Sequence, residues 1–71
     1  MVNESHEPTD DEDAVVRLLA EERRANPYLI REETGLAKQN VNEALKQLQA
    51  AGWVEKRTRG LYDFVADPRE D

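Results

Sequence analysis

The stretch LIREETGLAKQNVNEALKQLQAAGW, residues 29–53, decides the fold because one glycine separates two apolar helical patterns in it. Leu29 and Ile30 are the apolar anchors of a short helix, which we predict from Tyr28 to Thr34. Gly35 follows at a position where helices commonly end in a left-handed residue. The pattern therefore predicts a sharp turn at this glycine before another helix begins.

The next helix, predicted from Ala37 to Ala51, carries the clearest periodicity in the chain. Its apolar residues are spaced i, i+3, i+4, i+7 and i+10, which places them on one continuous face. These residues are Val41, Ala44, Leu45, Leu48 and Ala51. Gly52 ends the helix. A short helix, a glycine-containing turn and a longer helix in this order are typical of a helix-turn-helix.

Upstream, a first helix is predicted from Asp11 to Arg24, with Val15, Leu18 and Leu19 as its apolar stripe. The preceding run TDDED supplies capping residues and first-turn carboxylates, which the positive end of a helix dipole favours. Residues 1–9 show no periodicity, so we expect them to form a disordered acidic arm. The folded domain is predicted over residues 10–66, and residues 67–71 are predicted to be a frayed C-terminal tail.

After Gly52, the chain predicts a β-hairpin. The run WVEKRT is typical of a strand, RG of a tight turn and LYDFV of a return strand. The hairpin's large side chains are Trp53, Leu61, Tyr62 and Phe64. The fold class is therefore mainly α with a small β-hairpin: a winged helix-turn-helix of three helices plus a two-stranded wing.

Charge is distributed unevenly along the 71 residues, whose net charge is −6. Residues 1–13 carry −6, residues 14–66 carry +2 and residues 67–71 carry −2. The acidity therefore belongs to the two ends, and the net charge of the whole chain is no argument against a nucleic-acid partner. The acid excess, the preference for arginine over lysine and the lack of cysteine together favour a salt-adapted, haloarchaeal source.

The chain also resembles a known family. The motifs TGL before the third helix, V..AL..L..AGWVE through it and GLY in the hairpin resemble winged helix-turn-helix transcriptional regulators of the MarR and ArsR type, especially small archaeal forms. The resemblance covers residues 29–62. It implies a sequence-specific DNA-binding regulator whose third helix enters the major groove and whose wing contacts the backbone or minor groove of double-stranded DNA.

The resemblance also implies which residues contact DNA. On the recognition helix they are Lys38, Gln39, Asn40, Asn42, Glu43 and Lys46, and on the wing they are Lys56, Arg57, Thr58 and Arg59. The chemistry of these residues agrees, because amide side chains can bond adenine edges and lysine can reach guanine acceptors. Arginine and lysine on the wing suit phosphate contacts. Ala37 stands where the family usually has a capping Ser or Thr, so we expect the third helix to lack that cap.

The sequence is also consistent with other hypotheses about these surfaces. The polar face of the third helix could be ordinary solvated surface, and the wing's basic residues could be edge-strand charges that prevent aggregation. A winged helix can also assemble protein complexes without DNA contact, and the same basic surface could bind RNA. The core of so short a chain is marginal, so a homodimer is expected to support it.

The composition offers few side chains that could act in catalysis. The chain has one histidine, one serine and no cysteine, so no nucleophile–base pair is available and we expect no enzymatic activity. His6 lies alone in the acidic arm, and we expect it to have no role. We expect no cofactor, no metal site and no small-molecule ligand. No apolar run reaches the roughly 18 residues of a membrane span and no signal peptide is recognisable, so we expect a cytoplasmic protein.

Overall fold

The structure is a computed structural model that describes residues 2–69. Its helices are α1 (Asp10–Glu22), α2 (Pro27–Thr34) and α3 (Lys38–Ala50). Its strands are β1 (Arg24–Ala25), β2 (Val54–Thr58) and β3 (Leu61–Phe64). This order confirms the predicted winged helix-turn-helix. In this part of the chain, no helix combines the length and apolar character that crossing a membrane requires.

Capping explains where α1 and α2 begin. The Thr9 hydroxyl accepts a hydrogen bond from the Glu12 amide at 3.2 Å, and the Asn26 side chain accepts one from the Leu29 amide at 2.8 Å. Each bond satisfies one of the N–H groups that the start of a helix leaves unpaired. α2 ends at Gly35, whose φ of 75° lies in the left-handed region that favours glycine. The predicted turn at Gly35 is therefore confirmed.

The first helix ends earlier than predicted. Arg23 has a φ of 73° and interrupts the helix, so α1 does not extend to Arg24. Arg24 and Ala25 instead pair with Asp63 and Tyr62 of β3 as a third strand. The sheet is antiparallel with the order β1-β3-β2, so β1 joins the wing hairpin to the helical part. A two-residue strand is too short to show alternation, which is why the sequence pattern predicted only two strands.

The core lies between the three helices and one face of the sheet. Its largest fully buried side chains belong to every helix and to the segment that leads into β2: Val15, Val16, Leu19, Ile30, Val41, Leu45, Leu48 and Trp53. Leu18, Leu36 and Tyr62 are partly buried and pack around this core. The apolar stripes predicted for α1 and α3 therefore face the same interior.

Both ends of the described chain contact the domain. The Asn3 amide donates to the Ala51 carbonyl at 2.7 Å, and the Asn3 carbonyl accepts from Trp53 Nε1 at 2.9 Å. At the other end Asp67 is buried and pairs with Arg69, while residues 70 and 71 lie outside the described residues. Trp53 offers both ends a surface to pack on, and no pattern along the chain reveals that surface.

Candidate nucleic-acid interface

The outward face of α3 is polar and exposed along its length. All six residues predicted for recognition are exposed there: Lys38, Gln39, Asn40, Asn42, Glu43 and Lys46. Because consecutive helical residues are rotated by about 100°, Gln39, Glu43 and Lys46 form a line opposite the buried face. Asn42 lies to one side of this line and Asn40 to the other. The structure therefore brings Gln39, Asn42, Glu43 and Lys46 together on one accessible surface, with Lys38 and Asn40 on its opposite flanks.

One flank of this face lies beside the acidic start of α1. Asn40 and Glu43 share a groove of about 180 Å³ with Asp11 and Glu12, among other residues. The two lysines of α3 do not line this groove. Carboxylates therefore concentrate on the side of the α3 face that lies next to α1. The positive charges of Lys38 and Lys46 lie away from that side.

The start of α3 has no side-chain cap. Ala37 makes no capping hydrogen bond, as its alanine side chain predicts, and no acidic residue occupies the first turn. The Thr34 hydroxyl instead accepts from the Leu36 amide at 3.3 Å, inside the preceding turn. The first N–H groups of α3 thus donate no hydrogen bond to the cap side chain, and Lys38 adds a positive charge beside them. Amide groups and a lysine in this arrangement suit an anion such as phosphate.

The basic residues of the wing do not all point in one direction. Lys56 pairs with Tyr62 and shares the sheet face of buried Val54, because side chains two positions apart lie on the same side of a strand. Arg57 is the extra residue of a β-bulge, since Lys56 faces Tyr62 while Thr58 already faces Leu61. Arg59 lies at the tip. All four predicted wing residues are exposed, yet they occupy different sides of the hairpin.

Arg57 belongs to a charge cluster that spans all three strands. Arg24 of β1 donates through Nε to Asp63 Oδ1 at 2.7 Å, and Arg57 of the bulge places Nε 3.4 Å from Asp63 Oδ2. Arg24 and Asp63 were not predicted from the sequence, because their bond joins residues 39 positions apart and depends on the strand register. The only local signal was the position of Asp63 on the alternate face of the return strand.

The N-terminal residues form a second polar site around Trp53. His6 Nε2 lies 2.7 Å from Glu12 Oε1, and Glu12 retains only 7% of its exposure. The His6 ring meets the Trp53 ring edge-on, with 5.2 Å between the centroids. His6 therefore has a structural position that the sequence analysis did not assign to it.

The C-terminal residues complete this site from another side. Arg69 Nη2 lies 2.7 Å from Asp67 Oδ2 and its Nη1 lies 2.8 Å from Asp13 Oδ1, while the guanidinium sits 5.3 Å from the Trp53 ring centre. Hydrogen bonding from Arg69 lowers the pKa of Asp67, and hydrogen bonding from Arg17 does most to lower the pKa of Asp13. We call this group the Trp53 cluster: His6, Glu12, Asp13, Trp53, Asp67 and Arg69.

An exposed aromatic side chain lies on the surface of α2. Tyr28 is 66% exposed at the start of α2, beside a depression of about 270 Å³ that Arg31 and Leu36 also line. The sequence pattern predicts only the start of a helix at Tyr28 and does not reveal this surface. Across residues 2–69, no group of three or more histidine, cysteine or carboxylate side chains is arranged to hold a metal ion.

Comparison with known proteins places this architecture in a family. No curated protein matches the chain. The family model described as MarR family matches residues 14–60, which extend from α1 through the helix-turn-helix to the tip of the wing. The match covers more than half of the 71 residues and includes both the α3 face and the four wing residues. The chain therefore belongs to the MarR family of winged-helix regulators.

Proposed function

We propose that the protein is a sequence-specific DNA-binding transcriptional regulator, with α3 in the major groove and the wing on the backbone or minor groove. The observation that carries this proposal is the exposed face of α3. Among residues 2–69, the side chains of Gln39, Asn42 and Lys46 make no hydrogen bond or ion pair, so their polar groups are free to meet a partner. Membership of the MarR family supports the same function.

Base recognition is assigned to the centre of the α3 face. Gln39 and Asn42 can each form two hydrogen bonds with an adenine, and Lys46 can donate to guanine acceptors. Glu43 can accept from the amino group of cytosine, although it repels phosphate. These chemistries give α3 the means to distinguish base pairs, which phosphate contacts alone do not provide.

Phosphate contacts are assigned to the start of α3 and to the wing. Lys38 lies beside the uncapped amides of the first turn, and Arg59 lies at the wing tip. Lys56 and Thr58 extend the surface along β2. These groups would hold the duplex in register and make binding sensitive to salt, because each neutralised phosphate releases counterions.

A homodimer is the proposed assembly, and the exposed side of α1 is its proposed interface. Arg17 and Glu21 lie one turn apart there, on either side of Ala20, beside an open depression of about 620 Å³. In a two-fold pair of antiparallel α1 helices, Arg17 of each copy would face Glu21 of the other. Two copies would present two α3 helices to two DNA half-sites. The variant E21R would place two arginines at each contact while leaving the Arg17–Asp13 ion pair intact, and it should dissociate the dimer in sedimentation experiments.

Protein binding without DNA contact is the alternative function, and Tyr28 is the observation that favours it. Exposed aromatic side chains are enriched in protein interfaces, and this one lies beside a depression on the side of α2. Under this alternative Tyr28→Ala should abolish a heteromeric complex. Gln39→Ala and Asn42→Ala, on the α3 face, should leave that complex intact.

The test of the proposed function separates base reading from phosphate binding. Duplexes are selected from a random pool by the purified protein, and affinities for selected and unselected duplexes are measured over a potassium chloride series. Gln39→Ala and Asn42→Ala should change which duplexes are selected, whereas Arg59→Ala should weaken binding to all of them equally. Gln49→Ala, an exposed amide in the last turn of the same helix, is the matched control. Equal losses on every sequence for all variants would refute base reading, and no binding at any salt concentration would refute DNA binding.

A further inference from the structure

Asp63 lies in the central strand of the sheet, between two arginines from the flanking strands. Arg24 reaches it from β1 through Nε at 2.7 Å and through Nη2 at 3.5 Å. Arg57 reaches it from the bulge of β2 through Nε at 3.4 Å. The Asp63 side chain is only 18% exposed, while both arginine side chains remain about half exposed. The carboxylate is thus enclosed by two guanidinium groups that still face solvent.

The two arginines are held with different strength. Arg24 makes a short, charge-assisted hydrogen bond, whereas the Arg57 contact is longer and falls outside hydrogen-bonding range for its geometry. A contact of this kind at an exposed site contributes little and is easily exchanged for another anion. Arg57 is therefore the arginine that a stronger acceptor, such as a phosphate, can remove from Asp63.

The other basic residues of the wing have no comparable partner. Among residues 2–69, neither Lys56 nor Arg59 forms an ion pair. Glu55, the residue that faces Asp63 across the β2–β3 pair, forms none either. The four predicted wing residues are therefore not equivalent, because Arg57 alone among these four lies within ion-pair distance of a carboxylate.

We propose that Asp63 is a positioning residue that competes with DNA phosphate for Arg57. This inference rests on the proposed DNA-binding function and specifies which wing residues contact the DNA phosphates. Lys56 and Arg59 provide the phosphate contacts of the wing, and Arg57 adds a full contact only when Asp63 releases it. Asp63 thereby limits the sequence-independent affinity of the wing, so a larger share of the binding energy comes from the bases that α3 reads.

The experiment measures how Arg57 and Asp63 depend on each other. Wild type, D63N, R57A and D63N/R57A are titrated with a labelled random-sequence duplex over a potassium chloride series. In the wild-type background R57A should weaken binding by about twofold at most, and in the D63N background by about tenfold. The slope of log affinity against log salt should steepen by about 0.9 in D63N and return to the wild-type value in the double variant. A purely structural role for Asp63 would not produce that change in slope.

Glu55→Gln, alone and combined with R57A, provides the matched control. Like D63N, E55Q removes one negative charge, but from the residue directly opposite Asp63. Glu55 makes no ion pair with Arg57. If general charge removal caused the effect, E55Q would steepen the salt dependence as much as D63N, and the loss from R57A would be alike in both backgrounds. Thermal unfolding of each variant confirms that the domains compared are folded.

The possible outcomes separate this inference from the function on which it rests. A larger R57A effect in D63N than in both wild type and E55Q supports the competition. An equal R57A effect in all three backgrounds overturns it while leaving DNA binding in place. A smaller effect in D63N also overturns it, because Asp63 would then be directing Arg57 toward DNA. If wild type binds no duplex at any salt concentration, the proposed function fails and this inference fails with it.

Discussion

The Trp53 cluster and the exposed α3 face place their polar groups in opposite situations. In the cluster, Glu12 meets His6, Asp67 meets Arg69, and Asp13 meets both Arg17 and Arg69. On the α3 face, Lys38, Gln39, Asn42 and Lys46 have no side-chain partner within residues 2–69. One region satisfies its charges internally, and the other leaves them in water.

The difference follows from burial and indicates what each region contributes. Glu12 and Asp67 retain less than a tenth of their exposure, and a charge removed from water must be paired to be tolerated. Exposed groups on α3 remain solvated, so they need no partner and add little to stability. Substitutions in the Trp53 cluster should therefore change stability, whereas substitutions on the α3 face or wing tip should change binding.

The largest expected effect comes from Trp53. Trp53→Ala removes a fully buried indole and, with it, the hydrogen bond to Asn3 and the ring that His6 and Arg69 pack against. We expect a loss of about 3–5 kcal/mol in the free energy of unfolding, measured by urea titration monitored by circular dichroism. Tyr28→Ala, which truncates an aromatic residue that is 66% exposed, is the control and should change stability little. Similar losses for the two variants would show that the buried Trp53 ring contributes no more to stability than the exposed Tyr28 ring.

Arg69→Ala should produce the next largest effect. It leaves the buried Asp67 carboxylate without its guanidinium partner and also removes the contact with Asp13. The main-chain N–H of residue 69 still donates to Asp67 Oδ1, but Oδ2 becomes an unsatisfied buried acceptor. We therefore expect a loss of about 2 kcal/mol by the same urea titration. Arg59→Ala is the charge-matched control at the wing tip. A stability change below that of the control would show that the Arg69 contacts contribute nothing.

The pH dependence of the free energy of unfolding should also reveal the contribution of the Trp53 cluster. The native pKa values of Asp13 and Asp67 are lowered by their arginine partners. Their stabilisation is therefore complete above the ordinary carboxyl pKa of about 4 and disappears as the pH falls through the lowered native values. Between neutral pH and pH 3, wild type should lose more stability than Arg69→Ala, which already lacks part of this contribution. Parallel losses in the two proteins would show that these carboxylates are not responsible.

Most of the fold was predictable because it follows from local chemistry. The i, i+3, i+4 spacing of Val41, Ala44 and Leu45 fixes the buried side of α3, and Gly35 marks the turn before it. The same spacing placed Gln39 and Lys46 on the exposed side. These features depend on residues close together in the sequence, where a helical period is readable.

The features that were missed depend on contacts between distant residues. β1 exists because Arg24 and Ala25 meet β3, and Asp63 gains its partners only once the strands are in register. Likewise, the N-terminal residues are polar and without periodicity, but Asn3 finds hydrogen-bonding partners at Ala51 and Trp53. The composition of a segment describes that segment alone and not the surface on which it can lie, so these two bonds could not be predicted from it.

The smallest change in stability, and the clearest separation of the two regions, is expected from Arg59→Ala. Arg59 is exposed at the wing tip and forms no ion pair within residues 2–69, so its loss should alter the free energy of unfolding by less than about 0.5 kcal/mol. Its loss should still reduce the salt slope of DNA binding by about 0.9 per protomer, because one phosphate contact disappears. Anisotropy titrations over a potassium chloride series measure this slope. An unchanged slope with lower stability would place Arg59 with the Trp53 cluster, as a residue that maintains the fold and does not bind a partner.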